Sequence, residues 1–566
     1  MILKTGLSGR DTAEALTREL ARLKTRRRDF ESAWEEAQRF VSSVVLKFGE
    51  DADTSGEGYL IPRRITGRPA NYLETLVAGI SGYSINPNIM WLKLGIADRD
   101  LEEQYGVKDW LEKSEEALYK AYNDGNLYSQ MPALIESAAT FGHGVMLVDE
   151  DVVHKKIRCA AMNPPEIYLD TNEYDEVDTV FREFYLTAEN AAAYFGLEKL
   201  APEIRDTWRD EESKTRPVHL CHAVYKHKGS DGNNLLAREF MYASVFMDLD
   251  NRHLIKEGGY HDFPYAVFTW KKTMGKQYGY SPAMGAVSDI KLLHKGVESL
   301  LEVAQLSARP PMNVPQKLQG SEQLVPDGRN YYLTPDQIIS PVQVGANFPI
   351  TIEITRDMEE RIKDWFHVDF FLMLQQQSRQ MTATEVVELQ GEKAAVLSNM
   401  VTNLNYALQK IVQRSVDILF RQGKMPELPA ALQRQQTSLK VDFIGILAQA
   451  QKKAHRTSGI MQGIQIMGAL AQMARAVPQI AEAFDYVDAS QILRNGFESG
   501  GMSQLAIRED EDVQRIRQAR AEAQAAMEQQ QLALQQQQEL LKNYKQLNEP
   551  VNPDSPIGQL DQGGEG

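Results

Sequence analysis

The stretch SPAMGAVSDIKLLHKGVESLLEVAQLSARPP, Ser281 to Pro311, constrains the chain more than any other. Ser281 is suited to cap a helix, and Pro282 falls at the first helical position, where its missing N–H costs nothing. At the far end Pro310 and Pro311 have no amide to donate and push the residue before them out of helical space. Between these stops the spacing predicts a rod running to about Ala308, roughly 39 Å long at 1.5 Å per residue. Ala283, Ala286, Ile290, Leu293, Val297, Leu300 and Ala304 alternate by three and four, the spacing of a packing seam. Val287, Leu301 and Val303 widen the apolar surface, so the rod is expected to have more than one neighbour.

Downstream the chain returns to rods. Residues 310 to 350 read as a compact strand-and-turn excursion, after which TIEITRDMEERIKDWFHVDFFLML predicts a second helix over 351–374, with Ile354, Met358, Ile362 and Trp365 on one face. A polar break, QQQSRQM over 375–381, precedes a third helix in which Thr382 and Glu385 have capping-box spacing. That helix is expected to reach Gln422, roughly 60 Å, with a kink at Gly391 and stop signals at Gly423 and Pro426. Beyond it, 445–506 reads as helical and rich in Ala, Gln and Met. Residues 511–546 form a glutamine-dominated helix with too few apolar anchors to bury much alone: it packs in an oligomer or frays. The closing 548–566 carries the composition of a disordered tail.

N-terminal to the rod, Leu16, Leu20, Leu23, Phe30, Trp34, Ala37 and Val41 mark an amphipathic helix within 11–48. Its Arg26, Arg27 and Arg28 read best as a solvated face, with phosphate contact as the alternative. A helical zone over 68–140, broken near 81–88 and 123–126, gives way to short β-branched and aromatic strands at 144–150, 155–162, EIYLD, TVFREFYL, PVHLCHAVYKH, EFMYASVFMDL and YAVFTW. The expected fold class is mixed α+β, predominantly α, and 566 residues suggest roughly three or four packed units.

Two cysteines, Cys159 and Cys221, are too few for a disulfide framework in such a chain, which points to a reducing compartment. The N-terminus has no apolar signal core and no run is long enough to cross a bilayer, so an intracellular, non-membrane chain is expected. A formal charge of −16 argues against a protein whose main task is to grip nucleic acid, since that grip comes from Lys and Arg displacing counterions. It suits a surface past which a polyanion must slide without sticking.

Catalytic signals are weak. HLCH at 219–222, with His227 downstream, holds zinc-ligand residue types, but strand alternation sends His219 and Cys221 to one face and His222 to the other, which favours a structural role. Neither GxxxxGK[ST] nor GxGxxG occurs, which argues against an ATP-driven motor. Ser288 and Lys291 form an SxxK without the partner motifs of a β-lactamase-type enzyme, and read as polar-face residues of the rod. No enzyme activity and no cofactor or metal is expected. A metal-dependent hydrolase around His219 and Cys221 stays as a distant alternative.

In their order, RRRDFESAWEEAQRFV (26–41), VDTVFREFYLTAENAAAYFG (177–196), YGYSPAMGAVSDIKLL (278–293) followed by RPPMNVP, and MTATEVVELQGEK (381–393) resemble the portal, or head-to-tail connector, proteins of short-tailed bacteriophages. The resemblance covers roughly 10–425. It implies a portal-type fold: a wing over 1–280, stem helices at 281–309 and 351–374, and a clip at 310–350 with Asp327, Arg329 and Tyr331 among its contacts. It further implies a tunnel loop at 375–381 that offers Gln375, Gln376, Gln377 and Arg379 to DNA, a long wing helix over 382–429 and a crown over 430–506. The Gln-rich 507–547 departs from the pattern and is either a helical barrel or partly unstructured. Ile290, Leu293, Val297 and Leu300 would pack the stem.

The function implied is a homo-oligomeric ring, a dodecamer by family habit, at one capsid vertex of the virion. Double-stranded DNA would pass through it during packaging and ejection, and it would be assembled in the host cytoplasm. Implied partners are the major capsid protein, a scaffolding protein, the terminase packaging motor and a tail adaptor. Twelve copies would carry about −190 formal charges, which would discourage DNA from adhering. The competing reading is an internal capsid or ejection protein that binds DNA or membrane through the Gln-rich helix.

Overall fold

The computed structural model describes residues 9–43, 45–48, 64–102, 104–227, 240–316, 348–375, 397–433, 439–445 and 510–547, with part of 319–342. Two compact units result, Met1–Ala481 and Glu482–Gly566. The first is mixed α/β. It opens with helix α1 (Gly9–Val41), followed by α2 (Arg68–Ser84), β1 (Leu92–Ile96), α3 (Arg99–Glu102), α4 (Tyr105–Asp124) and α5 (Leu127–Phe141). The strand-rich part holds β2 (His143–Asp151), β3 (Lys156–Ala161), β4 (Ile167–Thr171), β5 (Val177–Thr187), β6 (Pro217–Lys226), β7 (Tyr242–Asp248), β8 (His253–Tyr260) and β9 (Tyr265–Thr269), with α6 (Ala188–Phe195) and α7 (Pro202–Arg209) between β5 and β6.

Strands β4-β5-β6-β7-β8 form an antiparallel meander, in which each strand pairs with its sequence neighbour and no crossover is needed. Inward and outward residues alternate along it, so the sheet has two covered faces. On one, Leu16, Leu20 and Leu23 of α1 pack on Tyr168, Phe181, Cys221, Val245 and Met247. On the other, α6 and α7 bring Ala188, Phe195 and Ile204 against Phe184 and Leu220. A second sheet, β3-β2-β9, lies against α5 and α11 (Ser398–Arg421).

The helical core joins α2, α4, α5, α11 and the rods α8 (Pro282–Ala308), α9 (Phe348–Trp365) and α10 (Val368–Gln375). Between the rods, β10 (Met312–Asn313) pairs with β11 (Ser340–Pro341) in the excursion expected there. A one-turn helix α12 (Ala430–Gln433) and β12 (Leu439–Phe443) close the described part of this unit. The second unit contributes α13 (Asp510–Leu547). Among the described residues no helix is long and apolar enough to cross a membrane.

Three local expectations change. Leu92–Ile96 is not helical: it pairs antiparallel with Leu439–Phe443, a partner some 350 residues away that no local pattern announces. The second rod is not continuous, because Phe366 and His367 interrupt it and His367 takes a left-handed φ of 51°. Nor does Arg27 lie on a solvated face. It is fully buried, its guanidinium donating to the carbonyls of Pro165 (2.8 Å) and Ile167 (2.9 Å), to Glu31 (2.7 Å) and to the Tyr168 hydroxyl (3.1 Å). Arg26, which pairs with Asp170 at 3.2 Å, and Arg28 are both exposed, as a solvated face requires.

Candidate functional site

The rods and their joint with the body form the most distinctive surface. Ser281 caps α8 as its sequence predicts: its Oγ accepts from the Met284 amide at 3.0 Å while the same hydroxyl donates to the Thr140 carbonyl, which ties the rod's root to α5. Ala283, Ala286, Val287, Ile290 and Leu293 are buried in the helical core. Ion pairs add to this footing, Lys291 with Glu36 of α1 and Arg68 of α2 with Glu359 of α9. Lys291 is thus a fastening residue and Ser288 is exposed, an arrangement far from a nucleophile and its base.

Rods α8 and α9 run antiparallel and in close contact. Gly285 lies against the Trp365 ring and Gly296 against the Thr355 methyl: a Cβ built on either glycine would fall 2.5 Å and 2.7 Å from those atoms. The bare backbone at two positions eleven residues apart therefore sets the spacing of the pair. Trp365 Nε1 donates to Asp289 at 3.2 Å and fixes the register. These glycines went unremarked in the sequence, although two small residues three turns apart on a long apolar helix are a usable signal for close packing.

Away from the body the burial runs out. Ile290 and Leu293 are fully buried and Val297 and Leu300 are half-buried, whereas Leu301, on the same face as Ile290, is 52% exposed. Leu292 and Leu306 on α8, and Ile352 and Ile354 on α9, are exposed as well. Exposed apolar residues in a row are a surface of the kind that often marks contact with another molecule. At the root of the rods a cleft of about 480 Å3 opens between Trp270, Tyr280, Asp289, Arg361, Trp365 and His367.

Of the other residues singled out, Arg329 and Tyr331 are exposed in the excursion, and Asp327 lies outside the described residues. Gln375 is the last residue of α10; Gln376, Gln377 and Arg379 lie outside the described residues, as does 446–506 of the expected crown. Of the expected third helix, Thr382, Glu385 and Gly391 lie outside the described residues; its described part, α11, ends where expected, with Gly423 at φ 66°.

The HLCH segment separates as strand alternation requires. Cys221 is buried against α1, and His219 on the same face meets Glu183 at 2.7 Å and Asp250 at 3.3 Å. Burial alone would raise the Glu183 pKa, but hydrogen bonds from His219 and Lys24 hold it down at about 2. Burial works against a charged His219 too, yet its two carboxylate partners raise its pKa above the ordinary value. His222, on the opposite face, stacks on Phe246, bonds to Ser244 at 2.9 Å, and is pushed down to about 3 by burial. These are parts of a sheet and its helix strap. Among the described residues no cluster of three His, Cys, Asp or Glu is placed to hold a metal ion.

A mixed α/β body that braces a close-packed helical pair and leaves its apolar outer reach uncovered defines a structural, assembly-type protein. The chain belongs to the family of bacteriophage head to tail connecting proteins, whose model matches residues 13–507. This is the family to which the sequence motifs pointed. It is 28% identical over 523 residues to the portal protein of Salmonella phage epsilon15, covering 91% of this chain and 92% of that one. It is 25% identical over 479 residues to the probable portal protein of Bordetella phage BPP-1, covering 82% and 83%. Among solved structures, a chain from the virion of a native gene transfer agent particle matches at a TM-score of 0.31 and 11% identity, over 74% of this chain and 91% of that one.

Proposed function

We propose that the chain is a portal subunit that closes into a ring of roughly twelve copies at one vertex of the capsid. The ring is a channel for double-stranded DNA in packaging and ejection, and a platform for the terminase motor and the tail adaptor. The major capsid and scaffolding proteins are its partners during assembly in the host cytoplasm. In this reading α8 and α9 are the stem, 310–350 the clip that meets motor or tail through Asp327, Arg329 and Tyr331, and 375–381 the tunnel loop that offers Gln375, Gln376, Gln377 and Arg379 to the DNA backbone.

The observation that carries the reading is the apolar face of α8 that continues past its core into Leu301, on a chain of the head to tail connecting family whose relatives are named as portal proteins. In a ring each rod packs on its own subunit and on a neighbour, so Val297, Leu300 and Leu301 gain cover from the next copy. In the second unit, Met527, Leu534 and Leu541 recur every seventh residue on α13 and are exposed. That is the spacing for self-association and supports a helical barrel over 507–547.

The test is the mass of the native assembly with an electron micrograph. The wild type is expected as a closed ring with a central opening. Leu301→Asp should leave a folded subunit that no longer closes, because the charge would be buried unpaired only in the ring. A wild type found as monomers or open filaments favours an internal capsid or ejection protein instead.

A further inference from the structure

Where α11 crosses the junction of the two sheets, two carboxyl groups meet. Asp417 of α11 shares a hydrogen bond with Asp262, which lies in the turn leading from β8 of the five-stranded sheet to β9 of the three-stranded one. Two ionised carboxylates are both acceptors, so one of the pair must carry a proton to donate. Burial, and after it the bond to Asp262, pushes the Asp417 pKa up to about 7.

Charged groups reach this seam from every element around it. From α11, Arg421 and Arg414 favour an ionised Asp417, but Arg414 is committed elsewhere: its Nε donates to the Val148 carbonyl of β2 at 3.3 Å and its guanidinium lies 5.0 Å from the centre of the Tyr260 ring. It stands 3.8 Å from Asp262, an ion-pair contact too long for a hydrogen bond. Strand β2 brings Asp149, which accepts from the Tyr260 hydroxyl at 3.4 Å, and Glu150, which accepts from Gln422 at 3.0 Å. The turn itself adds His261, exposed and packed on Phe240. Among the described residues no third His, Cys, Asp or Glu completes a metal-holding cluster with the pair, so the bridge that the geometry supports is a proton.

We propose that a proton held between Asp417 and Asp262 latches α11 to the turn between the two sheets, and that its release loosens the turn. Once both groups are ionised they repel each other in a half-buried seam. The folded Asp417 keeps a proton that a free aspartate gives up near pH 4, so the latch weakens as pH rises from about 4 to about 7 and changes little above that. The latch belongs to the subunit itself, so it stands or falls apart from the ring reading.

Amide hydrogen exchange of the full chain, corrected for the intrinsic rate at each pH, tests it in peptides spanning 256–266 and 411–422. Between about pH 5.5 and about pH 8.5, opening of the wild-type seam should rise roughly ten- to thirtyfold. Asp417→Asn keeps a donor that cannot ionise, and should hold the acid-side protection at both pH values. Asp262→Asn, whose amide can donate to an ionised Asp417, should do the same and serves if the first variant misfolds. Infrared difference spectra between the two pH values should show a protonated-carboxyl band that shrinks in Asp417→Asn, while Glu115, which burial also pushes up to about 7, keeps its share. Wild-type opening that changes less than about threefold overturns the latch, as does a full pH response in either folded variant.

Discussion

Replacing Arg27 tests whether α1 is clamped to the sheet by one buried cation. Arg27→Met keeps the aliphatic stem and removes the fork. It strips the carbonyls of Pro165 and Ile167 of their donor, leaves Glu31 facing a thioether, and ends the stacking of the guanidinium over the Tyr168 ring at 3.8 Å. Hydrogen bonds to charged groups are worth about 1.5–3 kcal/mol each, but Glu31 is near enough to the surface for water to recover part of its loss. A net cost of about 3–5 kcal/mol is therefore expected, the range for breaking a buried pair from one side. At about 1.4 kcal/mol per tenfold, local opening of α1 from β4 should rise by at least about a hundredfold. Amide hydrogen exchange followed by peptide mass spectrometry reads this directly in 16–31 and 164–171. Arg27→Lys should restore little, because an ammonium cannot span two carbonyls and a carboxylate in one plane. Less than about a tenfold rise in both peptides of the Met variant would refute the clamp.

The rod pair, the sheet network and the proposed tunnel loop yield further tests. Gly285→Val places branched carbons where the Trp365 ring lies, and should cost about 1–3 kcal/mol in rod packing, seen as faster exchange in Phe348–Trp365; unaltered exchange there would contradict the close approach. The folded pKa of His219 is raised above its unfolded value near 6.5, so its stabilisation is complete below about pH 6.5 and fades as pH rises through the raised value. His219→Gln should accordingly lower the thermal midpoint more near pH 6 than near pH 9, and an equal drop at both would remove the charged pair from the account. Deleting 375–381 should leave rings intact yet impair DNA packaging or retention, and full packaging by the deleted ring would remove the DNA-facing role of Gln375, Gln376, Gln377 and Arg379.

Much of the local structure is legible in the residues. Ser281, Pro282 and Pro310 bound α8, the alternation of HLCH divides His219 from His222, and most strands fall where β-branched and aromatic runs stand between turn residues. What escapes is decided across long separations. Arg27 looks like its neighbours Arg26 and Arg28, and only the curl of 164–168 beneath it makes it a core residue. Leu92–Ile96 pairs with a strand more than three hundred residues on, and its flanks read as helix. His367 breaks the second rod with a backbone conformation that no proline or glycine advertises. For the candidate site, the rods and their apolar face are visible in sequence spacing, while the glycine-set contact with α9 and the point where cover ends at Leu301 depend on where the body stops.

Helix α1 contributes to three separate cores. Its first turns belong to the cluster under the five-stranded sheet, Phe30 and Trp34 to the aromatic cluster around Tyr278, and Ala37 and Val41 to the helical core at the rods' root. A force applied to either rod would therefore not peel away one cluster at a time. It would be spread along a single stiff strut into the sheet, and slack in any one region would require the whole strut to lift.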